Sequence, residues 1–122
     1  MKENKAQIQL NAYLRKKRMH GFFELKVAKG GTFNFSEIED NQYMSLQATE
    51  KEGLVWKLSD EDRRKKPCDT LCIPPLPSYL VIQFKTDFYL IRFSHIVNMR
   101  ESGAVSISLK MCREIADKVV HI

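Results

Sequence analysis

Two opposite charges stand two residues apart in the segment FFELKVA, residues 22–28. If that segment is a strand, Glu24 and Lys26 project from one face with their Cα atoms roughly 6.6 Å apart. A carboxylate and an ammonium aimed into one cleft can act together on a phosphodiester. The carboxylate can hold a hard divalent cation through oxygen, as Mg²⁺ prefers. Such a cation polarises a phosphate and helps to activate a water. The lysine can orient that water or neutralise the charge that builds at phosphorus. Glu-x-Lys on its own is common as an exposed pair of little consequence. Here Phe22, Phe23, Leu25 and Val27 surround it. That is a core-strand pattern, in which charge calls for a reason.

Hydrophobic spacing shows which elements must carry the pair. Residues 3–18 contain no Gly or Pro and place Ala6, Leu10, Tyr13 and Leu14 on one stripe, which predicts a helix. The helix ends in Arg15, Lys16, Lys17 and Arg18, a run that suits the negative end of a helix dipole, with Gly21 as a stop. Residues 22–28 follow as a strand, with Phe23, Leu25 and Val27 on one face and Phe22, Glu24 and Lys26 on the other. Gly30 and Gly31 break the chain. Ser36 to Glu39 is an S-x-x-E capping box that opens a second helix running to about Glu52. Ile38, Tyr43, Leu46 and either Ala48 or Thr49 would face inward, and Gly53 ends it. Residues 54–58 predict a short strand with Trp56. Residues 59–66 are charged and read as a loop. All four prolines lie between Pro67 and Pro77, which predicts an extended, irregular excursion. Residues 79–85 and 88–93 predict two strands joined by a hairpin at Thr86-Asp87. Both faces are largely apolar, so at least one of these strands is central. A last helix spans about 109–120, with Leu109, Cys112, Ala116 and Val119 on one stripe and Ser106 or Ser108 as its cap. The expected class is α/β, a mixed sheet flanked by helices.

Bulk properties agree with one folded domain over residues 1–122, since that length leaves no room for a second. Hydrophobic residues make up 43% and charged residues 29%, which excludes a disordered composition. No stretch approaches the roughly 20 apolar residues of a membrane span. The first ten residues carry no apolar signal core, so a cytoplasmic location is expected. Three cysteines, Cys68, Cys72 and Cys112, fit reduced thiols there. Cys68 and Cys72 could begin a zinc site, but Cys112, His20, His95 and His121 are too scattered to complete one. The net charge of +5 favours polyanionic partners.

The segment FELKVAKGGTFNFSEIEDNQYMSL resembles the core of the PD-(D/E)xK nuclease superfamily. It is most like the small Holliday-junction resolvases of Gram-positive bacteria and their phage relatives. Those carry an acidic-x-Lys strand, a Phe-containing segment and then a helix with a Gln. The matching residues are Glu24, Lys26, Phe33 to Phe35 and Gln42. The likeness continues through KKPCD and PSYLVIQFKTDFYLIRFSHIV, so it covers about residues 22–97. It implies a restriction-endonuclease-like fold, Mg²⁺-dependent cleavage of branched DNA with Mn²⁺ able to substitute, and a bacterial or phage-infected host cell. By the same resemblance Glu24, Lys26, Gln42 and Asp69 would be catalytic. Glu24 and Asp69 would hold the metal. One feature departs from the family. Its usual second carboxylate, an Asp on a strand before the acidic-x-Lys strand, has no counterpart between the first helix and Glu24. Asp69 is the candidate for a migrated ligand, and Glu3 on the first helix is the alternative.

Two basic runs, Arg15, Lys16, Lys17, Arg18 and Arg63, Arg64, Lys65, Lys66, together with Lys29 beside the two glycines, are the expected contacts to a phosphate backbone. There is no helix-turn-helix pattern and no Gly-rich nucleotide loop, so backbone and shape would be recognised rather than base edges. Symmetric cutting of a junction would need two active sites and hence a homodimer. The alternative expectation is a relative that keeps the fold and binds nucleic acid without cutting it.

Overall fold

The computed structural model describes residues 2–58 and 67–121. A four-stranded mixed sheet forms its centre, with strand order β1-β5-β6-β8. Strand β1 (Phe22–Val27) runs parallel to β5 (Ser78–Phe84), with Glu24 opposite Leu80 and Lys26 opposite Ile82. Strand β6 (Asp87–Arg92) pairs antiparallel with β5, and β8 (Lys118–His121) pairs antiparallel with β6. The two central strands bury most of their side chains, as their two apolar faces require.

Each sheet face has its own core. On one face, helix α1 (Lys2–Lys17) lays Ala6 and Leu10 against Leu25, Val81, Phe88 and Leu90. On the other, helices α2 (Asp40–Glu52), α3 (Phe93–Glu101) and α4 (Leu109–Ile115) cover Leu80, Ile82, Tyr89 and Ile91. Two short strands, β2 (Thr32–Asn34) and β7 (Ser106–Ser108), pair antiparallel and close that second core with Phe33 and Ile107. The arrangement is α/β, as expected: a mixed sheet with helices on both faces. A separate antiparallel ribbon is made by β3 (Leu54–Lys57) and β4 (Thr70–Ile73).

Several local expectations need correction. Helix α1 stops before Gly21. Arg18 takes the left-handed conformation (φ 54°), with its N–H on the Arg15 carbonyl and that of Met19 on the Leu14 carbonyl, a Schellman closure. The capping box of α2 is built on Glu39 and Gln42, three residues beyond the Ser36 box, and residues 35–37 form a 3-10 turn instead. The proline-rich excursion contains a strand, because Thr70 to Ile73 lie between Pro67 and Pro74 and have their N–H groups free to pair. Residues 93–101 are a helix that the strand pattern did not reveal. The last expected helix is two elements: α4 ends at Ile115, Ala116 is extended, and Lys118 onward joins the sheet.

Cys68 and Cys72 are exposed and Cys112 is buried in the α2-side core, where desolvation pushes its thiol up to about 12. A thiol held neutral is a poor nucleophile. A thiol-labelling reagent at neutral pH should therefore modify two cysteines in the native protein and a third only after denaturation. Three labels in the native state would contradict this burial.

Candidate functional site

Alternation along β1 sends Leu25 into the α1-side core and turns Glu24 and Lys26 toward the face that α2 covers. The Lys26 Nζ lies 4.0 Å from Glu24 Oε2, and their side chains are 19% and 28% exposed. The pair is half-buried, so each charge is felt more strongly than on an open surface. Parallel pairing with the buried β5 holds the backbone beneath both residues, so their spacing is set by the sheet rather than by a loop.

Glu24 opens into a cavity of about 420 Å³ between the start of β1 and α2. Asn41, Gln42, Ser45 and Thr49 line its helix side. Gln42 is held by the helix cap: its Oε1 accepts the Glu39 N–H at 3.3 Å, while its own N–H donates to Asn41 Oδ1 at 2.9 Å. What Gln42 offers a ligand is therefore its Nε2 amide donor. Gly21 forms the rim, pressed against the turn into β5. A Cβ there would lie 2.6 Å from the Pro77 carbonyl oxygen, which accepts the Phe22 N–H at 2.9 Å. Glycine at 21 thus serves close approach rather than helix termination.

The structure places Glu24 and Gln42 in the lining of one cavity, and Lys26 beside Glu24 on β1 but outside that lining. It does not bring Asp69 there. Asp69 is exposed at the far end of the β3–β4 ribbon, where its carbonyl accepts the Leu58 N–H at 2.8 Å, and it is not a lining residue of the cavity. Glu3 is in the first turn of α1, with its side chain outside the described residues. Glu50, one residue past Thr49, is engaged elsewhere: it accepts from Arg92 Nη2 at 2.6 Å, and that bond raises the guanidinium pKa further. The first basic run, residues 15–18, is exposed at the end of α1, three residues before the Gly21 rim, and Lys29 is exposed after β1. Arg63, Arg64, Lys65 and Lys66 lie outside the described residues.

Glu24 is the one carboxylate lining the cavity among the described residues, and no three His, Cys, Asp or Glu among them gather as a metal-binding group. Mg²⁺ keeps several waters and commonly takes one or two protein carboxylates plus the substrate's own phosphate oxygens. One carboxylate with the Ser45 and Thr49 hydroxyls in the same lining fits a cation of that kind, completed by water and substrate, and does not fit a closed structural site.

Asn41 and Ser45 were not singled out from sequence, and Thr49 was expected only as an alternative to Ala48 on the inward face. Their signal was present all the same, as small polar residues at i, i+4 and i+8 of α2, a second stripe beside the apolar one. Compared with known proteins, the chain matches no protein-family model, no curated protein and no solved structure.

Proposed function

We propose that the chain is a metal-dependent DNA endonuclease of restriction-endonuclease-like fold that hydrolyses phosphodiester bonds in branched, Holliday-junction-type DNA. The observation that carries this reading is that Glu24, paired with Lys26 on one face of β1, shares a cavity lining with Gln42 of α2. A Mg²⁺ bound there would supply Lewis-acid polarisation of the scissile phosphate. Glu24 would be its protein ligand, with Asp69 and Glu3 the remaining candidates for a second. Lys26 places a positive charge beside the phosphoryl oxygens as they gain negative charge. The Gln42 amide donates to the attacking water or to a phosphate oxygen and so fixes its direction. Half-burial of the pair limits competing water. Incubating the protein with labelled four-way junction, flap and linear duplex in Mg²⁺ or Mn²⁺ tests the proposal. Metal-dependent nicks support it. No product from any of the three rejects it.

A second reading, a non-catalytic nucleic-acid-binding protein, is favoured by the single carboxylate in the cavity lining. Both readings predict binding that weakens with salt. Affinity should fall steeply between about 50 and 200 mM salt, because lysine and arginine side chains release counterions when they neutralise phosphates. Replacing Arg63, Arg64, Lys65 and Lys66 together by Ala should weaken binding and flatten the log–log salt slope by about 0.9 for each phosphate left un-neutralised. Fluorescence anisotropy at several salt concentrations measures both effects. An unchanged slope would remove this run from the interface.

A further inference from the structure

The β3–β4 ribbon stands apart from the central sheet and carries the protein's only tryptophan. Its two faces differ. Leu54, Leu71 and Ile73, near the root, are half-buried. Trp56 shares their face, pairs across the ribbon with Leu71, and is 59% exposed. On the opposite face Val55 is 69% exposed and is followed by Lys57. A large aromatic carried outward on a paired strand leaves much of its ring available to a flat partner.

The ribbon springs from the same end of the sheet as the cavity. It leaves α2 at Gly53, four residues after the lining residue Thr49, and returns through residues 74–77 to β5, where Pro77 meets the Gly21 rim. Gly53 makes that root tight: its φ is +78°, and a Cβ would run into the Ile73 carbonyl oxygen. Trp56 is three residues beyond Gly53, so it stands within about 10 Å of the root along an extended strand. A nucleic acid with one phosphate against Glu24 and Lys26 would place its neighbouring nucleotides within reach. The protein's net charge of +5 suits such a partner, and Lys57 lies exposed on the ribbon itself.

We propose that Trp56 is a stacking platform for an unpaired DNA base, so that the ribbon selects DNA with unstacked bases at a branch over continuous duplex. Every base has a flat face, and stacking on an aromatic is tolerant of sequence. In an intact duplex the bases already stack on one another and offer Trp56 nothing. The inference rests on the DNA-processing reading above and adds a basis for its preference for branches.

One titration tests it, using a fork with two single-stranded arms and a blunt duplex of equal length. DNA binding is followed by anisotropy of labelled DNA, and stacking by emission of the single tryptophan. The fork should quench Trp56 and the duplex should not. Trp56→Ala should weaken fork binding about 10- to 100-fold with duplex affinity unchanged, and Trp56→Phe should restore most of the loss. Fork binding that leaves tryptophan emission unchanged, or that Trp56→Ala does not weaken, overturns the stacking role while leaving the DNA reading intact. A concentration-dependent shift of emission without DNA would show that a second copy of the chain covers the ribbon, and would overturn it too. Binding of neither DNA rejects both inferences together.

Discussion

Glu24→Gln should abolish metal-dependent cleavage, with a loss of two to three orders of magnitude or more, expected from the roughly 10²–10³ that a single transition-state donor supplies and the larger share of a metal ligand. The replacement keeps the shape of the side chain and removes the charge that holds the cation. Folding should survive, because the Lys26 partner keeps partial access to solvent and a half-exposed ion pair contributes little to stability. Lys26→Ala separates the two roles. It should lose cleavage yet leave Mn²⁺ affinity nearly unchanged, whereas Glu24→Gln should lose both. Calorimetric titration of Mn²⁺ beside a junction-cleavage assay reads the distinction. Asp69→Asn decides whether the ribbon contributes a ligand: a loss of Mn²⁺ affinity equal to that of Glu24→Gln would mean that Asp69 reaches the cavity when DNA is bound. Wild-type activity in Asp69→Asn would leave Glu3 or a partner subunit as the source of a second carboxylate. Full cleavage by Glu24→Gln would refute the assignment of the site.

Gly53→Ala should be the most damaging single methyl that the chain can receive near the site. Gly53 ends α2 with φ 78° and ψ −159°, a combination that is essentially glycine-only. The added carbon would collide with the Ile73 carbonyl oxygen and lie 2.9 Å from the Pro74 carbonyl carbon, both backbone atoms that cannot rotate away. Backbone strain plus this clash should cost about 3 kcal/mol or more, or a fall in melting temperature of about 10 °C. Gly103→Ala is the control, with a positive φ of 97° but open space around it. It should cost only the conformational part, about 1–2 kcal/mol. Equal melting temperatures for the two variants would show that the ribbon root yields.

What could be read from the chain, and what could not, follows from how local each signal is. The Glu24 strand was legible because alternation over six residues is a strong period-2 signal with apolar residues on both sides. The β5–β6 hairpin was legible for the same reason, and its turn falls at Lys85-Thr86, one residue earlier than expected. Residues 109–120 misled because Leu109, Cys112, Ala116 and Val119 keep helical spacing across a break that no Gly or Pro marks. The break is made by tertiary bonds instead: the Asp117 N–H donates to the Leu90 carbonyl, and the Asp117 carboxylate accepts the Arg92 N–H at 2.7 Å. Strand β4 was hidden by flanking prolines, and β7 by its length of three residues. At the site, Glu24 and Lys26 could be named from their alternation along one strand, and Gln42 only from the family resemblance. The separation of Asp69 from them could not, since it depends on where a ribbon points.

Strand β1 has a strand neighbour on only one side among the described residues, the β5 side. An apolar strand at the margin of a sheet is a template for another chain, and natural proteins blunt such margins with charges that point inward. Glu24 and Lys26 are such charges, set among Phe22, Phe23, Leu25 and Val27. The two residues proposed to cut DNA would thus also guard against edge-to-edge aggregation, and a chain without both would present an uninterrupted apolar strand. Their retention would therefore be favoured for solubility even in a descendant that no longer cleaved anything, so an intact Glu-x-Lys pair is not by itself a record of catalysis.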